Sequence, residues 1–167
     1  MRTRLLAFVA GFALLGMGPA VADDAGLTIT ADALASLDNA ELSVQAAGAA
    51  DEVAPASFVM PVTNVTFNRG GGVKAIRMSG GLTIAGQPVS LDLTNLRVNL
   101  RAQQASVVAS SPGTRIPAFD VVKTKVTKKK VRGILLIAPG TASVLNEQFD
   151  TYVFSDGMRF ARFVYPR

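Results

Sequence analysis

Six cations crowd one short stretch: Lys123, Lys125, Lys128, Lys129, Lys130 and Arg132 are the densest charge on the chain. Such a cluster can hold an anionic cell-envelope polymer, membrane headgroups, or a phosphate or sulfate ligand. Lysines on a hairpin tip also keep it soluble and block edge-to-edge association of sheets, and both readings stand. No aromatic residue interleaves the cluster to stack on bases or sugars, so no nucleic acid is expected as a partner. Carboxylate chemistry would fall to Asp92, Asp120 and Asp156, the acids in or beside strand-forming runs. Asp92 sits between Leu91 and Leu93, so it faces away from the core and reads as a solvated residue rather than a general acid. The chain has no histidine and no cysteine, which removes Ser-His and Cys-His catalysis, ordinary zinc sites and disulfides. Tyr152 and Tyr165 are the only phenols. A phenolate can ligate iron, although a structural role with a satisfied hydroxyl is the commoner use. These residues describe a non-enzymatic binding or structural module with no catalytic residue, metal or cofactor of its own. An exported hydrolase using carboxylates is an alternative.

The first residues have the three parts of a secretory signal: Arg2 and Arg4, an apolar run from Leu5 to Met17, and Ala20-Val21-Ala22 before Asp23. The run is shorter than the roughly 20 residues that span a bilayer. Cleavage after Ala22 is expected, giving a signal peptide over 1–22 and one β-rich domain over 23–167, secreted or held at the cell envelope, with no transmembrane helix after processing. The formal net charge of +5 becomes +3 without Arg2 and Arg4, because 15 bases then face 12 acids. Seven acids and no base lie between Asp23 and Asn68, whereas Arg69 to Arg132 carries twelve bases against Asp92 and Asp120. That asymmetry can steer acidic partners.

The elements that must position these residues are mostly strands. Val73 to Leu100 reads as a β-meander with turns at Gly80-Gly81 and Ala85 to Pro88. Its apolar positions run Val89, Leu91, Leu93 and then Leu96, Val98, Leu100. The inward parity therefore switches at Thr94-Asn95, as a β-bulge requires. Lys74, Arg77, Arg97 and Arg101 fall between apolar positions and line a solvated face. Leu27 to Thr30 predicts a strand feeding a helix capped by Thr30, with Ala33, Leu34 and Leu37 inward. Glu41 to Ala47 and Ser57 to Val62 predict strands, the latter limited by Pro61, with a loop over Gly48 to Pro55. Asn68 to Gly72 is a glycine-rich turn, and Ile116 to Val126 with Val131 to Ile137 makes a hairpin with a cationic tip. A second strand and helix follow, with Pro139 in the first helical turn and Val144, Leu145 and Phe149 inward. Thr151 to Phe154 and Phe160 to Tyr165 predict closing strands. About ten short strands and two brief helices make a mainly β, antiparallel, β-sandwich-like fold. Arg and Lys within several strands weigh against an outer-membrane barrel.

The order of GGLTI, VSLDLTNLRVNL and LLIAPGTASVLNEQFDTYVFSDGMRF resembles the HtaA-type domain of actinobacterial exported and cell-surface proteins. The matching features are Gly80-Gly81-Leu82, Leu93-Thr94-Asn95, Leu145-Asn146, and Phe154 to Gly157. The resemblance implies a β-rich binding domain at the cell surface and, by the family's best-characterised members, a haem carrier using a tyrosine with a histidine partner. Haem is the cofactor the resemblance brings, and the lack of histidine removes half of that ligand set. An isolated phenol, with an ordinary pKa of about 10, is mostly protonated at neutral pH. Only a cation beside Tyr152 or Tyr165 would rescue such a site, and Arg159, Arg162 and Arg167 are the nearby candidates in sequence.

Overall fold

In the strand Ser90–Asn99 the buried side changes at Asn95: Leu91 and Leu93 point into the core, then Leu96 and Val98. Asn95 has a φ of 52°, and the pairing register slips between Thr94 and Arg97, so the extra residue that the parity switch demands is present. The computed structural model describes residues 24–110, 113–127 and 130–166. The expected export signal lies outside them, as do Lys128, Lys129 and Arg167.

Twelve strands and two helices are described. In chain order they are β1 (Ala25–Ile29), α1 (Ala31–Asn39), β2 (Ser43–Ala47), β3 (Asp51–Ala54), β4 (Ser57–Met60), β5 (Val62–Phe67), β6 (Val73–Met78), β7 (Gly81–Ala85), β8 (Ser90–Asn99), β9 (Gln104–Ala109), β10 (Arg115–Val126), β11 (Lys130–Ile137), α2 (Thr141–Phe149) and β12 (Arg159–Pro166). They form one antiparallel sheet in the order β2-β7-β8-β9-β10-β11-β12-β1-β4-β3, and β6 joins β8 to β5. The two ends of that path, β2 and β3, are separated by only a short turn in which the Ala50 N–H donates to Ala47 O at 3.2 Å. The sheet must therefore curl until its ends nearly meet, and Leu27, Met60, Leu93, Phe119 and Leu135 from across it surround one interior. The bulge divides β8 between two neighbours, with Ser90 to Thr94 on β7 and Arg97 to Asn99 on β6.

The helices bracket this core. The Thr30 hydroxyl accepts from the Ala33 N–H at 3.3 Å and donates to Arg159 O at 2.6 Å, which caps α1 and ties it to β12 while Ala33 and Leu37 are buried. At α2 the N-cap is Gly140, one residue past Pro139, and the cap is supplied from outside: the Asp156 carboxylate accepts from Gly140 N–H at 3.1 Å and Ala142 N–H at 3.4 Å. Ala142 and Leu145 face inward, whereas Val144 is 55% exposed.

Several local expectations are corrected. Gly48 to Pro55 contains the strand β3, and β5 occupies a run read as no element. Each has one pairing partner and mostly exposed or half-buried side chains, so no alternation marks it. Thr151 to Phe154 is not a strand. The Asn146 side chain takes the place of a neighbouring strand there: its Nδ2 donates to Phe154 O at 2.9 Å, and its Oδ1 accepts from Phe154 N–H at 3.0 Å.

Candidate functional site

Two turns and a strand bulge meet at the Asn99 end of β8. Between β5 and β6, the Asn68 Oδ1 accepts from Gly70 N–H at 3.0 Å and Gly72 N–H at 2.8 Å, fixing the turn that carries Arg69. After β8, the Asn99 Oδ1 accepts from Ala102 N–H at 3.1 Å and fixes the turn that carries Arg101. On the third side β10 bulges between Val122 and Lys125, with Lys123 at a φ of 50°. A non-glycine residue in that region carries strain of order 1 kcal/mol, and such strain gathers at working sites.

These elements enclose an open cleft of 750 Å³. Arg69, Lys74 and Arg101 supply positive charge, Phe67, Val73, Leu100 and Val126 supply apolar surface, and no acid lines it among the described residues. Thr124 also lines the cleft, and its Oγ1 is buried without a hydrogen-bond partner among the described residues. A buried hydroxyl left unpaired costs free energy that a ligand oxygen would recover. The cleft thus sets positive charge beside apolar surface from Phe67 and Val126. In sequence no aromatic residue interleaves the lysines; in space Phe67 arrives from β5.

The predicted basic residues Lys123, Lys125, Lys130 and Arg132 are all exposed beside this cleft's β10 wall. Lys125 pairs directly with Arg132, an arrangement of like charges that is unfavourable without a counter-charge. Arg162 pairs with Ile134, the next outward position from Arg132, so it lies on the same outer face of the sheet. Arg159 is exposed at the start of β12. The two tyrosines are not brought together. Tyr165 is buried opposite Val131, on the inner side of β12, while Arg162 points outward. Tyr152 is 93% exposed in the segment after α2, and its hydroxyl makes no hydrogen bond among the described residues.

The three acids are dispersed, and Asp92 and Asp156 are occupied structurally. Asp92 pairs across the sheet with Thr83, whose hydroxyl donates to it at 2.6 Å, and its N–H donates to Ser110 Oγ. Asp120 lies at the Gln104 end of β9 and Asp92 at the Ser110 end, about 20 Å apart at the rise of a strand. Asp156 caps α2.

A second positive feature escaped the sequence reading, which placed Arg77 and Arg97 only on a solvated face. Arg77 pairs with Arg97, and Arg97 pairs with Ser106. From β10, the Arg115 Nη1 reaches over β9 to donate to Asn95 O at 3.0 Å and to Ser106 O and Oγ at 3.3 Å. Register, not spacing along the chain, assembles this row.

At the opposite end of β8, about 30 Å from the cationic cleft by strand rise, a cleft of 530 Å³ lies between the ends of α1 and α2, lined by Glu41, Leu42, Gln87, Phe149 and Asp150 among others. A solved structure, the C-terminal domain of HtaA from Corynebacterium glutamicum, superposes on this chain with a TM-score of 0.59 over 87% of this chain and 97% of that one. The fold is that of the HtaA domain. Sequence identity is 10%, so the two chains have diverged far. The heme binding protein HtaB from the same organism superposes with a TM-score of 0.52 at 9% identity, over 86% of this chain and 90% of that one. A domain-swapped dimer of a variant of the HtaA C-terminal domain gives 0.51 at 12% identity, over 91% and 98%. No family profile and no curated protein matches the chain. The resemblance read from short motifs thus holds at the level of fold.

Proposed function

We propose that this protein is an exported, non-enzymatic binding module that holds an acidic polymer of the cell envelope at the cationic end of its sheet. The observation that carries this reading is the cleft of Arg69, Lys74, Arg101 and Thr124, which has three cations, an unpaired buried hydroxyl and no acid among the described residues. Lys123 and Lys125 extend the same positive field along β10, where an approaching polyanion is attracted before it docks. The dispersal of Asp92, Asp120 and Asp156 supports binding rather than carboxylate catalysis. Retention on a dextran sulfate matrix tests the reading. Exposed charges are screened over about 8 Å at physiological ionic strength, so elution should need added salt. Replacing Arg69, Lys74 and Arg101 by Gln should lower the eluting salt concentration sharply, and replacing Lys128, Lys129 and Lys130 by Gln should lower it further. Unchanged elution of both variants refutes the proposal.

The shared fold with a heme binding protein supports a second reading, haem carriage by a tyrosine. The residues present do not fit it. Tyr165 is sealed in the core on the side away from Arg162, and Tyr152 is a solvated phenol that no cation touches among the described residues. Haem titration should give no sharp tyrosinate-type Soret band, and Tyr152→Phe and Tyr165→Phe should leave the spectrum unchanged. A stoichiometric complex abolished by either substitution would put haem carriage first.

A further inference from the structure

We propose that Arg77, Arg97 and Arg115 form a second, separate site, which binds one tetrahedral oxyanion: the phosphate or sulfate group of a ligand. The bulge at Asn95 creates it. Without the extra residue Arg97 would keep the parity of Leu91 and Leu93 and point into the core; with it, Arg97 turns outward beside Arg77. The Asn95 carbonyl, displaced by the same bulge, accepts from the Arg115 guanidinium and holds it over Ser106. One irregularity in one strand therefore orients two of the three cations.

The row is unbalanced as it stands. Adjacent strands lie about 4.8 Å apart, and like charges directly opposite one another on such neighbours repel. Among the described residues none of the three arginines forms an ion pair. The Arg115 guanidinium is held below its ordinary value, first by partial burial and then by the charges of Arg97 and Arg77, which places all three in one uncompensated positive field. The Arg97 Nε is buried and has no hydrogen-bond partner among the described residues, although a guanidinium always carries that proton. Planar guanidinium forks donate pairs of hydrogen bonds to tetrahedral oxyanions, and a compact group of this kind suits donors one strand apart. The Ser106 hydroxyl, already against Arg115, is a further donor or acceptor at the same place. This site stands independently of the cleft, whose lining includes none of these residues.

The test is titration of the protein with inorganic phosphate, inorganic sulfate and a simple phosphomonoester, read by the NMR signal of the Arg97 Nε–H. The expected result is a saturable shift of that signal with one ion per chain. Arg97→Lys keeps the charge and loses the fork, and should weaken binding by about tenfold. Arg77→Gln, at an exposed position where folding is safe, should also weaken it, while Arg101→Gln in the cleft should not. A monoester bound at least as well as phosphate supports a ligand carrying the group as an ester; preference for the free ions supports an inorganic anion. A shift that never saturates, or that survives in full in both Arg97→Lys and Arg77→Gln, overturns the site. Equal weakening by Arg101→Gln also overturns it, because net charge alone would then explain the binding.

Discussion

Replacing Asn146 by Ala removes both hydrogen bonds that hold the buried Phe154 at the foot of α2. The two bonds, at 2.9 and 3.0 Å, satisfy the carbonyl and the N–H of Phe154, whose side chain is only 3% exposed. Each bond contributes about 1 kcal/mol net, and a backbone group left buried without a partner costs about 1–3 kcal/mol more. Alanine favours the helix by less than about 0.7 kcal/mol over asparagine, which offsets only part of that loss. The expected destabilisation is therefore about 2–4 kcal/mol. At about 2–4 °C per kcal/mol for a domain of this size, the thermal midpoint should fall by roughly 10 °C. Asn146→Asp keeps the acceptor for Phe154 N–H but sets a carboxylate against Phe154 O, and should lose at least half as much. Urea unfolding followed by far-ultraviolet circular dichroism measures both. A loss below about 0.5 kcal/mol for Asn146→Ala, the range of an ordinary surface change, would refute the view that this amide stands in for a strand.

Four further substitutions test the backbone and the cap. In Gly81→Ala the new Cβ would collide with Leu93 O and come 2.6 Å from Thr94 Cα, on the strand that β7 pairs with. Neither can move without breaking the ladder, so a loss above about 3 kcal/mol is expected by urea unfolding. Gly71→Ala, which meets nothing within 4 Å but has a φ of 76°, should cost about 1–2 kcal/mol. Asp156→Ala strips the borrowed cap from α2 and should cost about 1 kcal/mol in the same assay, with Asp156→Asn losing less; equal stability of all three proteins would contradict the cap.

Strand parity made the β8 bulge legible, because six apolar residues change sides at one point and only an inserted residue does that. The Thr30 cap and the basic hairpin were legible for the same local reason. β3 and β5 were not, since an edge strand with little buried surface shows no alternation. Thr151 to Phe154 has the composition of a strand, yet Phe154 bonds the Asn146 side chain and the Thr151 N–H donates to the Asn146 carbonyl, so no neighbouring strand is needed. The cationic cleft was not legible: the lysines of β10 that stand out in sequence lie beside it, while Phe67 at the end of β5 and Arg69 and Arg101 on separate turns come together only through the sheet order. The arginine row depends wholly on register. Both sites are marked by the two side-chain atoms that the described structure buries without partners, Thr124 Oγ1 and Arg97 Nε, and such marks exist only in three dimensions.

The central claim is that the cationic end of the sheet is where the ligand binds. Amide NMR of the protein during titration with a sulfated oligosaccharide tests it most directly. The account predicts that the largest shifts fall on Arg69 to Lys74, Arg101 and Thr124, and that they collapse as salt is raised. Shifts gathered instead around Glu41, Gln87 and Asp150, between the two helices at the far end of β8, would contradict it.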